Sequence, residues 1–191
     1  MTRSAERSDF KAIRATWRDA AFDPLHTART LDGWLDVKLS GFLVSDTPSR
    51  KEFKAHLDRY IVSERAGRLG GLLRLDDSQE IQPETDVHWV SPHQFKDLYE
   101  ARPHASIGVI AVAQHAARQG VATEMLHEAE VRARAMGASH LFSFVVLCPI
   151  ANYSSALFHL ENGFEMMAVT QPQTLFDVDD YQSTLYGKGL A

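Results

Sequence analysis

Residues 112–126 read VAQHAARQGVATEML, and they constrain the fold more than any other part of the 191-residue chain. The stretch ends an apolar run, SIGVIAV (106–112), and starts a helical pattern just past one glycine. A near-continuous apolar run is the mark of a strand covered on both faces. From Val121 to Met136, the residues Ala122, Met125, Leu126, Ala129, Ala133 and Met136 recur on one side of a helix. Glu128 with Arg132 and Glu130 with Arg134 add favourable i,i+4 pairs. Gly137 suits the left-handed residue that ends such a helix.

The turn itself suggests an anion. Gly120 permits close backbone approach, and the first turn of a helix exposes unpaired N–H groups. Those groups and the positive end of the helix dipole favour phosphate. Arg118 adds charge, and the Thr123 hydroxyl can donate a hydrogen bond.

Downstream, LFSFVVL (141–147) reads as another buried strand and NYSSALFHLENGF (152–164) as a helix with a glycine stop. EMMAVT and STLYGKGL make the last two strands. Upstream, FKAIRAT (10–16) is read as a first strand, and Trp17 to Leu39 as helical. Thr47-Pro48-Ser49 resembles a helix start, with Phe53, Leu57 and Ile61 following at helical spacing. Residues 63–67 form a turn between the strands YIVSE and LGGLLRL. Residues 76–102 read as an acidic connection with one short helix. Alternating strands and helices without repeats indicate an α/β chain folded as one domain over 1–191.

Composition narrows the function. The net charge of -5 argues against a nucleic-acid partner. A single cysteine, Cys148, cannot form an intramolecular disulfide and fits a reducing cytoplasm. The polar start and the absence of an apolar run near ~20 residues give no signal peptide and no membrane partner. Neither GxxxxGK[ST] nor GxGxxG is present. His127-Glu128 opens like a zinc-protease helix, but Val131 stands where the second histidine belongs, and no metal is expected.

The turn Ala117-Arg118-Gln119-Gly120-Val121-Ala122 resembles the [R/Q]-x-x-G-x-[G/A] motif of the GNAT superfamily of acetyl-CoA-dependent N-acetyltransferases, departing at Ala117. NYSSALFHLENGF resembles the N-x-x-[A/S]-x-x-x-[Y/H]-x-x-x-G-F segment of the same family through Asn152, Ser155, His159, Gly163 and Phe164. The resemblance implies an α/β (α+β) fold with a mixed, mostly antiparallel sheet of about six to seven strands. Its two central strands, 106–112 and 141–147, would splay around the pantetheine arm of acetyl-CoA. It implies a cofactor site of Ile110, Val112, Arg118, Gln119, Gly120, Val121, Ala122, Thr123 and Asn152. His159 would be either the acid that protonates the departing thiolate or only a contact or local cap. Asn152 would hold cofactor or cap its helix. Gly108 would mark a bulge, a ligand's approach or tight packing against a helix. Relatives often place a base where this chain has Ser106 and Gly108, so no base is assigned. The acceptor would be a small amine or an exposed amino group, with a homodimer left open. The alternative is a coenzyme-A-binding module without catalysis.

Overall fold

The computed structural model describes residues 1–20, 49–77, 87–90, 94–100, 103–148, 151–175 and 178–190. Among the described residues there are nine strands: β1 (Thr2–Ser4), β2 (Tyr60–Arg65), β3 (Arg68–Asp77), β4 (Val87–Trp89), β5 (Ala105–Val112), β6 (His140–Cys148), β7 (Glu165–Thr170), β8 (Gln173–Leu175) and β9 (Val178–Gly189). The described α-helices are α1 (Phe10–Asp19), α2 (Arg50–Ala55), α3 (Gln94–Glu100), α4 (Val121–Ala135) and α5 (Tyr153–Glu161). The strand order is β1-β2-β3-β5-β6-β9-β7-β4, with β8 on β9. Among the described strands only β5 and β6 run parallel; the other pairs are antiparallel. A parallel pair needs a long crossover, and α4 supplies it.

Side-chain alternation sorts the core into two faces. Leu73, Leu75, Ile107, Leu141 and Val145 meet Met125, Leu126 and Ala129 of α4. On the other face Val62 and Leu72 meet Ile13 and Trp17 of α1 and Phe53 of α2. Further along that sheet face, Phe142 and Leu185 meet Tyr99 of α3. Leu72, Leu73, Leu141 and Phe142 are each completely buried. At about 1.5–3 kcal/mol per such side chain, a one-residue slip of β3 or β6 is strongly disfavoured.

Several expectations are corrected. Residues 10–16 are helix, not strand: Ile13, Thr16 and Trp17 are buried at helical spacing, and Trp17 completes a period that a window ending at Thr16 misses. The first strand is instead the polar Thr2–Ser4, held by pairing to β2. The helix after Ser49 ends at Ala55, so Leu57 lies in a 3-10 turn and Ile61 in β2. The turn between β2 and β3 narrows to Ala66-Gly67, both at positive φ, as a two-residue hairpin requires. Met136, expected to face inward, is exposed. The short strands β4 and β8 take the count above six to seven. The helix expected to run to Leu39 lies, beyond residue 20, outside the described residues.

Candidate functional site

The site begins where two central strands part. β5 and β6 pair only through Ala105↔Leu141, Ser106↔Phe142 and Ile107↔Ser143. Past that point β5 keeps its partner β3, β6 keeps β9, and the two no longer meet. The register of β5 on β3 steps from Ile107↔Leu75 to Val109↔Arg74, leaving Gly108 as the unmatched residue of a β-bulge at the fork.

Backbone polarity beyond the bulge follows from one hydrogen bond. Ala113 N–H donates to Gly70 O at 2.9 Å. Alternation along an antiparallel ladder then turns Val109 and Ala111 toward β3. The N–H groups of Ile110 and Val112 consequently face the opposite edge, which β6 has left. Both side chains are half-buried against the α4 face.

At the end of β5 the chain makes a 3-10 turn over Gln114–Ala116 and reaches the start of α4. Arg118 and Gly120 sit at φ +58° and +74°. A non-glycine residue in the left-handed region carries strain that the surrounding structure must hold. Gln119 helps: its side-chain amide donates to the His115 carbonyl at 2.9 Å. Gly120 is the N-cap of α4, and no side chain caps that helix. The N–H groups of Val121, Ala122 and Thr123 precede the first intrahelical bond, from Glu124 N–H to Gly120 O at 3.0 Å. A Cβ on Gly120 would meet nothing within 4 Å, so the space beside the backbone is open. The acid of this first turn, Glu124, is countered by Arg65 at 2.5 Å, which holds its carboxyl below the usual range.

Two glycines that the sequence reading passed over seat this turn. A Cβ on Gly70 would come within 2.9 Å of Ala116 Cβ, and one on Gly71 within 2.6 Å of Val121 Cγ1 and 2.8 Å of Met125 Cε. Their absence of side chains lets the start of α4 lie directly on β3. The doublet in LGGLLRL was the available signal, since adjacent glycines in a strand mark close approach.

Asn152 and His159 belong to α5. Asn152 is its N-cap, and its side-chain oxygen accepts from Ser155 N–H at 3.1 Å. His159 is completely buried, stacked on Tyr186 at 5.5 Å and edge-on to Phe164 at 4.9 Å. Tyr186 is the β9 partner of Ser143, so the ring lies one strand from the fork. His159 Nδ1 lies 2.7 Å from the Ser155 carbonyl, which can only accept, so this nitrogen carries the proton. Nε2 is buried without a partner. Burial lowers the pKa of the ring below 6.5, outweighing the Ser155 hydrogen bond.

Other sequence candidates are placed elsewhere. Trp17 is core and Trp89 packs on Tyr99 at 6.1 Å; Trp34 lies outside the described residues. Of the acidic connection, Asp76 and Asp77 end β3, while Glu80, Glu84 and Asp86 lie outside the described residues. Among the described residues no three His, Cys, Asp or Glu side chains form a metal-binding group, and no helix is long and apolar enough to cross a membrane.

Residues 86–164 match the family described as Acetyltransferase (GNAT) family. Among curated protein sequences there is no match. The fold is similar to that of an N-acetyltransferase from Staphylococcus aureus Mu50, at 18% identity and TM-score 0.64, covering 100% of this chain and 98% of that one. It is similar to the PaiA N-acetyltransferase from Thermoplasma acidophilum in complex with coenzyme A, at 12% identity and TM-score 0.64, covering 99% and 98%. The ribosomal-protein-S18-alanine N-acetyltransferase from Escherichia coli is similar at 14% identity and TM-score 0.61, covering 100% and 94%. At such identities the likeness speaks for the fold alone, and the family match spans the residues of β5, the turn and α4. The likeness to the acetyltransferase (GNAT) family thus rests on residues 86–164, and the solved structures share the fold.

Proposed function

We propose that the chain transfers the acetyl group of acetyl-CoA to a primary amine by direct attack of the amine on the thioester. The observation that carries this reading is the open start of α4 at the end of a strand that has parted from its neighbour. The backbone N–H groups of Gly120, Val121, Ala122 and Thr123 would receive the pyrophosphate, with Arg118 adding charge. Gln119 serves the same site by pinning the turn. The Ile110 and Val112 N–H groups face the gap in which the pantetheine arm and thioester would lie. Donors already fixed in a strand can stabilise the oxyanion of the tetrahedral intermediate.

His159 is proposed to act on the sulfur side of the fork. Its Nδ1 proton is committed to Ser155, and burial disfavours the imidazolium, so the resting ring offers a lone pair at Nε2. Donation to the thiolate therefore requires prior protonation of Nε2. Without that proton, the ring serves as a contact for the thiol. Asn152 is read as supporting the site by starting α5 where it does.

The acceptor is proposed to be a small amine or an exposed amino group. The neighbouring fold named for a ribosomal-protein alanine supports an amino-group acceptor in the superfamily. The test is amine-dependent release of free coenzyme A, read with a thiol reagent across amines and peptides. His159→Phe is expected to lower turnover more than acetyl-CoA affinity. An equal loss of both assigns the ring to cofactor contact alone. Acetyl-CoA binding without turnover on any acceptor favours the non-catalytic module.

A further inference from the structure

The fork has a carboxylate over it that comes from the neighbouring strand. Gly108, the bulge residue, is exposed, and its own side-chain direction is occupied. The three nearest atoms to a Cβ built there are Asp76 Oδ2 and two nitrogens of Arg74, all overlapping it. Asp76 and Arg74 both stand on β3, two residues apart and hence on one face, the face of Leu72 and α1.

This carboxylate is fixed rather than free. Arg74 Nε donates to Asp76 Oδ2 at 2.9 Å, and Arg59 stands 3.9 Å from Oδ1. The Asp76 side chain is only 16% exposed. Around Arg74 lie the Tyr60 hydroxyl, hydrogen-bonded to it, and the charge of Glu52. Ser106 is the register partner of Asp76 on β5, and Asp77 alternates to the opposite face. Arg59 and Arg74 both stand beside Asp76, and the pairing to Arg74 orients the carboxylate toward the bulge. A carboxylate accepts about four hydrogen bonds. Arg74 Nε takes one, and Arg59 is beyond hydrogen-bond distance, so Oδ1 retains capacity for another donor.

We propose that Asp76 is the group that receives the acceptor's ammonium at the fork, so that the enzyme selects cationic amines. This rests on the acetyl-transfer reading, which places the thioester in the same gap. A partly desolvated, pre-oriented carboxylate attracts a cation more strongly than a solvated one. Glycine at 108 keeps it against the strand, because any side chain would push the pair outward.

Calorimetric titration of 1,4-diaminobutane into protein saturated with coenzyme A tests this, with 1,4-butanediol as the uncharged control. The wild type is expected to bind the diamine and not the diol. Asp76→Asn and Gly108→Ala are each expected to weaken diamine binding at least about tenfold, and Asp76→Asn is expected to keep the acetyl-CoA affinity of the wild type. Gly108→Ala displaces only the ends of flexible side chains, so it folds even if Asp76→Asn does not. No binding by the wild type, equal binding of the diol, unchanged diamine binding in either variant, or a parallel loss of acetyl-CoA affinity in Asp76→Asn would each overturn the proposal. Failure of the transferase reading is read separately, as failure of the wild type to bind acetyl-CoA.

Discussion

Two helices on the same face of the sheet begin in opposite ways. α5 starts at Asn152, whose side chain takes the Ser155 N–H at 3.1 Å. α4 starts at Gly120, which has no side chain to offer and sits at φ +74° beside open space. The short helix α2 follows the α5 pattern, with Ser49 and Glu52 forming a reciprocal capping box at 3.2 and 2.8 Å. A helix start met by its own side chain is a device of folding. One left open, at the end of a strand that has parted from its neighbour, is a place for an anion. The contrast separates Gly120 from Asn152, although both stand in family motifs.

The largest effect is expected at the open start. Gly120→Val should abolish the rise in melting temperature that saturating acetyl-CoA gives the wild type. At a hundredfold excess over Kd that rise corresponds to about 2.7 kcal/mol. The variant's ligand-free stability should fall by about 1–3 kcal/mol, the cost of a branched residue in the left-handed region. A retained acetyl-CoA shift would erase the distinction between the two helix starts.

At the closed start the expected loss is one of stability. Asn152→Ala should destabilise by about 1 kcal/mol, the usual worth of an N-cap, in denaturant unfolding. Its acetyl-CoA affinity should stay within a few-fold of wild type. A loss above about tenfold would make Asn152 a cofactor contact and sharpen the comparison differently.

His159, on the last turn of the capped helix, predicts a pH slope. Its folded-state pKa is lowered below 6.5 by burial, so between that lowered value and 6.5 the unfolded chain binds the extra proton. Stability contributed by the neutral ring is therefore present above 6.5 and is lost as pH falls through that window. His159→Phe should flatten this part of the unfolding free-energy profile. The smallest effect belongs to Ser49→Ala, which should cost about 0.5–1 kcal/mol with no change in acetyl-CoA binding.

The apolar run of β5, the α4 periodicity and the Gly120 turn were legible because each is a local pattern with one physical reading. The helix at residues 10–19 was not, since Phe10, Ile13 and Trp17 show their helical spacing only across the full span. β1 was hidden for the converse reason: Thr-Arg-Ser has no apolar pattern, and pairing to β2 alone makes it a strand. At the site, the open turn at Gly120 could be read from the residues, whereas Ile110 and Val112 were reached only through the family resemblance. Asp76 stood out only as one of several acids in the 76–102 connection expected to draw in a cationic amine; its place over Gly108 depends on the register and bulge between β3 and β5. The burial of His159 was equally hidden, since it arises from Tyr186 and Phe164 closing around it.

The central claim is that the open start of α4 holds the pyrophosphate of coenzyme A. The most direct test is calorimetric titration of the wild type with acetyl-CoA and with S-acetylpantetheine, which keeps the thioester but lacks the pyrophosphate. The account predicts saturable acetyl-CoA binding and at least about a hundredfold weaker binding of S-acetylpantetheine. Equal affinity for the two, or binding of ATP or a dinucleotide in preference to acetyl-CoA, would contradict it.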